Sequence, residues 1–277
     1  GQVIVSTHSP YLAAMANQAE LRYLKKSNDG IVARLLSTKL SSNDCRRLQR
    51  EVIHSRGEII FSKALVLCEG ETEEQALPLL FRKYFNREAF TLGITFVGIG
   101  GAGKYKPFLS FAHDFDIPVF IFSDGEEKVV QNVEKVYKEV YGNADVMTCG
   151  HVTFLENTDF EKYLLSSGFR EIIESAIQDI HNGNYISNWI KTNHGKVFKK
   201  QKSDVPPCPE CHQHIYTDVS RDYQSSNGYD QALISILSKN KTKFAPVIAE
   251  KLCALDPASF PKKIVELFEN IKSRAGI

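Results

Sequence analysis

The stretch KALVLCEGETEEQALPLLFRKYF, residues 63–85, decides the fold. Ala64 to Cys68 is a short apolar run of the kind that makes a fully buried strand. The chain turns at Glu69-Gly70, and Leu77, Leu80, Phe81 and Tyr84 then recur at helical spacing. Thr72, with Gln75 three residues on, predicts a capping box. Pro78 inside the helical run predicts a kink or a late helix start.

The same alternation continues downstream. ITFVGI (94–99) is a second apolar strand, KPFLSFAHDF (106–115) a short helix, and IPVFIFSD (117–124) a strand ending in acid. EEKVVQNVEKVYKEVY (126–141) is a periodic helix, HVTFLE (151–156) a fourth strand, and DFEKYLL (159–165) begins another helix. Strands alternating with helices at this pitch predict an α/β fold, a central mostly parallel sheet flanked by helices. Beyond residue 168 the pattern turns helical, over 169–181, 185–192, 228–238, 243–254 and 259–273, around a polar stretch at 199–227. Before the alternation, Val3 to Val5 reads as a strand. LRYL (21–24) and IVARLL (31–36) read as a strand pair about the turn SNDG (27–30), and 39–57 as a polar linker. Three segments follow: 1–60, 61–168 and a helical C-terminal subdomain at 169–277.

Composition narrows the function. The hydrophobic share of 43% supports a packed core, and no run of about 18 apolar residues predicts a membrane span. No secretory leader is readable, and the six cysteines are too sparse for a disulfide scaffold. The expected setting is a reducing cytoplasm, with no membrane partner. A net charge of +1 excludes a bulk basic signature, so any nucleic-acid binding would have to come from local patches. KTNHGKVFKKQK (191–202) is one candidate; a solvated face is the plain alternative.

Two acidic turns carry the chemistry. Glu69-Gly70-Glu71-Thr72-Glu73 and Ser123-Asp124-Gly125-Glu126 each follow an apolar strand. Parallel sheets bind ligands beyond the carboxyl ends of their strands. Paired carboxylates there suit a hard cation such as Mg²⁺, which binds oxygen and leaves waters for a substrate phosphate. Helix capping is the plain alternative for any one of these acids.

LVLCEGETEE, VGIGGAGK and FIFSDGEE, in that order, resemble the Toprim domain of the overcoming lysogenisation defect (OLD) nucleases, a family that includes the nuclease subunit of Gabija antiphage systems. The resemblance covers residues 60–165 well and the helical tail more loosely. It implies a divalent-metal-dependent DNA endonuclease with two Mg²⁺ or Mn²⁺ ions per site, governed by an attached ATPase, acting in antiphage defence. Glu69 would be a metal ligand or general acid/base, Glu73 the second acid, and Asp124 the first aspartate of a DxD motif. Glu126 stands where the family has aspartate, one methylene longer. Ser123 would hold a ligand or a DNA phosphate. In LENTDFEKYL, Thr158 and Glu161 resemble a later acidic motif that completes the metal shell, with Asp159 and then Glu156 as competitors; an N-cap role is the plain alternative for Thr158. Lys241 in KTKFA (241–245) fits the family's catalytic lysine pattern, Lys-x-x-x-Ala.

VIVSTHSP resembles the last strand and switch-histidine loop of an ABC-type ATPase, which makes His8 an ATP-sensing residue of the intact ATPase only. The family implies a homodimer or higher oligomer, and its Gabija branch a helicase-like partner protein. Other readings are a non-catalytic Toprim module that binds DNA or a partner, and a topoisomerase- or primase-like Toprim protein.

Two features stand apart. Gly98 to Lys104 imitates a phosphate loop, but Tyr105 replaces the Ser/Thr that would bind Mg²⁺, so no nucleotide is expected there; Lys104 would instead touch a DNA phosphate. Cys208, Cys211, His212 and His214 could furnish a Zn²⁺ site, although the usual second pair is missing.

Overall fold

The structure is a computed structural model. It describes residues 1–277 apart from 18, 28–29, 37–40, 55, 143–145, 147, 157, 182, 202–213 and 215. In chain order the elements are α1 (Pro10–Met15), β1 (Tyr23–Ser27), β2 (Gly30–Arg34), α2 (Ser42–Arg47), β3 (Ala64–Cys68), α3 (Glu71–Phe85), β4 (Ile94–Gly98), α4 (Tyr105–Asp114), β5 (Val119–Ser123) and α5 (Glu127–Tyr141). There follow β6 (Val152–Phe154), α6 (Phe160–Ser166), α7 (Arg170–Ile180), α8 (Tyr185–Asn193), β7 (Val197–Gln201), β8 (Tyr216–Ser220), α9 (Ser226–Leu237), α10 (Lys241–Cys253) and α11 (Lys262–Ala275).

The centre is a parallel sheet in the order β4-β3-β5-β6. Both its faces are covered, and for that reason β3 and β5 are buried at every position and apolar throughout, save Ser123 at the end of β5. Side chains alternate between the faces. Val66, Cys68, Phe96, Phe120 and Phe122 pack with Leu77, Leu80 and Phe81 of α3 and with the C-terminal helices. Leu65, Leu67, Val97, Val119 and Ile121 pack with Leu109 and Phe111 of α4, Val133 of α5 and the N-terminal region.

This arrangement sets a switch point. The chain steps from β3 outward to β4, returns past β3 to β5, and continues to β6. Right-handed crossovers then put α3 on one face and α4 and α5 on the other. The crevice opens where the connections part, at the carboxyl ends of β3 and β5. Glu69 and Asp124 are the first residues beyond those ends.

The flanking segments share these cores. Leu48, Val52, Ile53 and Ile59 are fully buried against the sheet's second face, so 39–57 contributes to the core and is more than a linker. The hairpin β1–β2 forms as expected. It is tied to the loop before β5 by Lys25–Asp116 at 2.8 Å and by Tyr23 stacked on Phe115. The C-terminal helices α7, α9, α10 and α11 close the other face and carry Lys241 to the crevice.

Four local expectations are corrected. Val3 to Val5 forms no strand and is 69–88% exposed; no described strand pairs with it, and an unpaired strand leaves its backbone groups unsatisfied. Helix α3 runs unbroken through Pro78, because only one backbone donor is lost and tight packing on both sides supplies the rest. The polar stretch 199–227 contains strand β8 and the end of β7, an antiparallel pair whose polar, partly exposed residues disguise the period of two. The capping box at Thr72 is absent: Gly70 is the N-cap, and Thr72 is the second helical residue. Cys208, Cys211 and His212 lie outside the described residues, so the zinc reading has no structural counterpart here.

Candidate metal and phosphate site

Glu69 leaves β3 half-buried, and its carboxylate Oε2 accepts from Ser123 Oγ at 2.9 Å and from the Asp124 backbone N–H at 3.3 Å. Two strand ends are thus tied through one carboxylate. Ser123 is 1% exposed, which puts its hydroxyl out of reach of DNA; its work is to hold Glu69. Beneath it lies the fully buried Tyr105, whose phenol is pushed well up by burial and further by the charge of Glu69.

Glu73 stands in the first turn of α3, where the helix dipole favours an anion. It is 5% exposed and folds back over Gly70. A Cβ at Gly70 would sit 2.7 Å from Glu73 Oε2, so only glycine leaves room for this carboxylate. Burial, then the charges of Glu161 and Glu69, push its pKa up to about 7, against the help of its own backbone N–H and Lys241. Asp124 is pushed up to about 8, first by burial and then by Glu69, Glu73, Asp159 and Glu161. Its buried Oδ1 has no hydrogen-bond partner among the described residues.

Glu161, in the first turn of α6, is also 5% exposed. Thr72 Oγ1 donates to its Oε1 at 3.3 Å, and Lys241 Nζ to its Oε2 at 3.1 Å. Lys241 is the first residue of α10, so one carboxylate joins the starts of three helices. Partial burial opposes the Lys241 charge, but Glu161, Asp159 and Glu73 outweigh it and hold the ammonium's pKa above its ordinary value.

These groups surround a cavity of about 340 Å³, lined by Glu69 to Glu73, Gly100, Gly101, Asp124, Glu161 and Lys241. The loop after β4 closes one side, with the Gly101 N–H donating to the Glu69 carbonyl at 3.0 Å. At the end of β4, Gly98 leaves room for the Glu74 side chain, which a Cβ there would run into. Lys104 bends back so that its Nζ lies near Gly100 at the rim.

Five sequence-expected residues therefore share one cavity: Glu69, Glu73, Asp124, Glu161 and Lys241. Others stand apart. Glu126 is exposed at the start of α5 and does not line the cavity. Asp159, not Thr158, is the N-cap of α6, and it pairs with Lys162 at 2.6 Å. Thr158 supports the second acidic turn through its carbonyl, which accepts from the Gly125 N–H at 3.0 Å. Glu156 is exposed, and His8 is exposed beside Phe61. Thr72 and Tyr105 were not identifiable as site residues, because their neighbours Glu161 and Ser123 are distant in sequence.

The donors are all hard carboxylate oxygens, and one buried oxygen lacks a donor; both features fit Mg²⁺ or Mn²⁺. Among the described residues no three Asp, Glu, His or Cys side chains close on one point at ligand distance. A cation that takes one or two carboxylates and keeps its waters needs no such cage.

Residues 60–125 match the model of the overcoming lysogenization defect protein-like TOPRIM domain. The chain is 26% identical over 181 residues to the uncharacterized protein YbjD of Escherichia coli K12, covering 64% of this chain and 32% of that protein. It thus spans about a third of the length of this curated relative. Its fold is that of the C-terminal region of the Xanthomonas campestris pv. campestris OLD protein (18% identity, TM-score 0.51, 78% of this chain and 97% of that one). The C-terminal region of the Burkholderia pseudomallei OLD protein is similar as well (14% identity, TM-score 0.50, 78% and 99%). Among the described residues no helix is long and apolar enough to cross a membrane.

Proposed function

From the premise that this chain carries an OLD-like Toprim domain, a nuclease-family module, we propose that it is the hydrolytic part of a divalent-cation-dependent DNA endonuclease. The observation that carries this reading is the meeting of five carboxylates and one lysine in a single cavity at the switch point of a parallel sheet. A bound Mg²⁺ or Mn²⁺ pair would acidify a water and offset charge on the phosphate. Glu69, Glu73 and Asp124 would hold the cations. Ser123 fixes the Glu69 carboxylate, so its orientation does not depend on the substrate. The Lys241 ammonium, held by Glu161 at the cavity edge, faces the charge that develops on a cleaved phosphodiester. Glu126 is assigned a place at the rim, because its exposed carboxylate stands outside the lining. The same exposure favours a second reading, a Toprim module that binds DNA without cutting it. Regulation by an attached ATPase and a role in antiphage defence rest on the resemblance alone.

Incubation with supercoiled plasmid and Mg²⁺ or Mn²⁺ tests the reading. The native chain is expected to nick or linearise the plasmid, and Asp124→Ala to abolish that. Cleavage that survives the substitution would remove this site. Retention of plasmid without cleavage would favour the binding module.

A further inference from the structure

A second cavity, about 720 Å³ and open to solvent, lies on α8. Tyr185, Asn188, Trp189 and Thr192 lie at i, i+3, i+4 and i+7, so they form one face of that helix, with its N-cap Asn184 and with His181 from the end of α7 beside them, while Ile186 enters the core. The His181 and Tyr185 rings are stacked, 3.8 Å apart and 10° from parallel, as a preformed flat platform. Trp189 is 8% exposed; the Lys239 ammonium lies 5.6 Å over its ring, and its indole N–H has no acceptor among the described residues. Exposed Asn184 and Asn188 add carboxamides that can both donate and accept.

Charge and position indicate the occupant. Described residues 181–243 hold eight Lys or Arg against three Asp, in a chain whose net charge is only +1. Lys239 lines this groove and Lys241 lines the acidic cavity. Two residues apart, their Cα atoms are separated by at most about 7 Å. A strand with a phosphate at Lys241 reaches the groove within a few nucleotides, each rising about 3.4 Å. Flat rings, amides and lysines together suit unpaired bases, which stack on aromatic side chains while cations meet the backbone. Bases in a duplex have their faces covered.

We propose that the α8 groove binds unpaired nucleotides flanking the phosphate held at the acidic cavity, with the His181–Tyr185 pair as the stacking platform. The proposal rests on the nuclease reading for its orientation, but its test does not. Trp189 is the chain's only tryptophan, so its emission reports on this groove. The chain is titrated with a 12-nucleotide oligo(dT) in EDTA, and with a 12-base-pair dA·dT duplex for comparison.

Oligo(dT) is expected to quench Trp189 more strongly and at lower concentration than the duplex. Tyr185→Ala and, separately, Lys239→Glu should weaken the affinity at least fivefold with the circular dichroism spectrum unchanged. Quenching by these criteria from a chain that fails to cut plasmid upholds the groove and removes the nuclease reading. Plasmid cleavage by a chain whose Trp189 is not quenched overturns the groove alone. Equal quenching by the duplex, or affinity unmoved by both variants, also overturns it. So does a Trp189 change that follows protein concentration instead of oligonucleotide, which would mark a second copy as the occupant.

Discussion

Replacing Glu73 by glutamine should stabilise the metal-free protein at neutral and alkaline pH and leave it unchanged in acid. The native carboxyl holds its proton up to about pH 7, against an ordinary 4.5, because burial and the neighbouring Glu161 and Glu69 disfavour the ion. The folded state then binds more protons than the unfolded chain across that window. Stability is complete below pH 4.5 and is lost as pH rises through 7. At about 1.36 kcal/mol per pH unit, the loss by pH 8 is about 3 kcal/mol. Glutamine keeps the shape and cannot ionise, so it removes the loss. Urea unfolding followed by circular dichroism in EDTA at pH 5, 6, 7 and 8 measures it. The gap between variant and native should grow from about 1 kcal/mol at pH 5 to about 3 kcal/mol at pH 8. Asp124, raised to about 8, leaves a residual slope common to both proteins. Saturating Mg²⁺ should narrow the gap, because a cation that binds only the folded, ionised native site stabilises it by mass action. Parallel pH curves for the two proteins would refute the claim that carboxylate crowding strains this site.

Two further outcomes test the frame around the site. Gly98→Ala should cost about 1–3 kcal/mol, read as a lowered urea midpoint, because the added methyl meets Glu74, itself paired with Arg56 at 2.7 Å. Lys241→Met should cost about 1–2 kcal/mol by leaving the buried Glu161 without its ammonium, and should abolish plasmid cleavage; adding Glu161→Gln should restore the unfolding midpoint and not the cleavage.

Much of this was legible in the chain itself. Short apolar runs, two of them leading into an acidic turn and a helix, determined a parallel sheet and put Glu69 and Asp124 just past strand ends. They could do so because a strand buried on both faces is almost wholly apolar, and the ligand-facing acid then comes just beyond its end. The acids Glu73 and Glu161 and the distant Lys241 came as candidates from the resemblance to the OLD nucleases. Only the tertiary structure decided which of these share a cavity. Strand order places β5, not β4, beside β3 on the side where the connections part, and that choice joins Glu69 to Ser123 and Asp124. Packing of α10 across α3 brings Lys241 to Glu161, 80 residues away in sequence, and turns Thr72 from an expected cap into a clamp on that carboxylate. Glu126 shows the converse: its spacing matched a motif, yet the turn at Gly125 sends it to solvent. Local patterns fix where a carboxylate leaves the backbone, whereas convergence, desolvation and the crowding that raises Glu73 and Asp124 depend on neighbours that only the folded chain supplies.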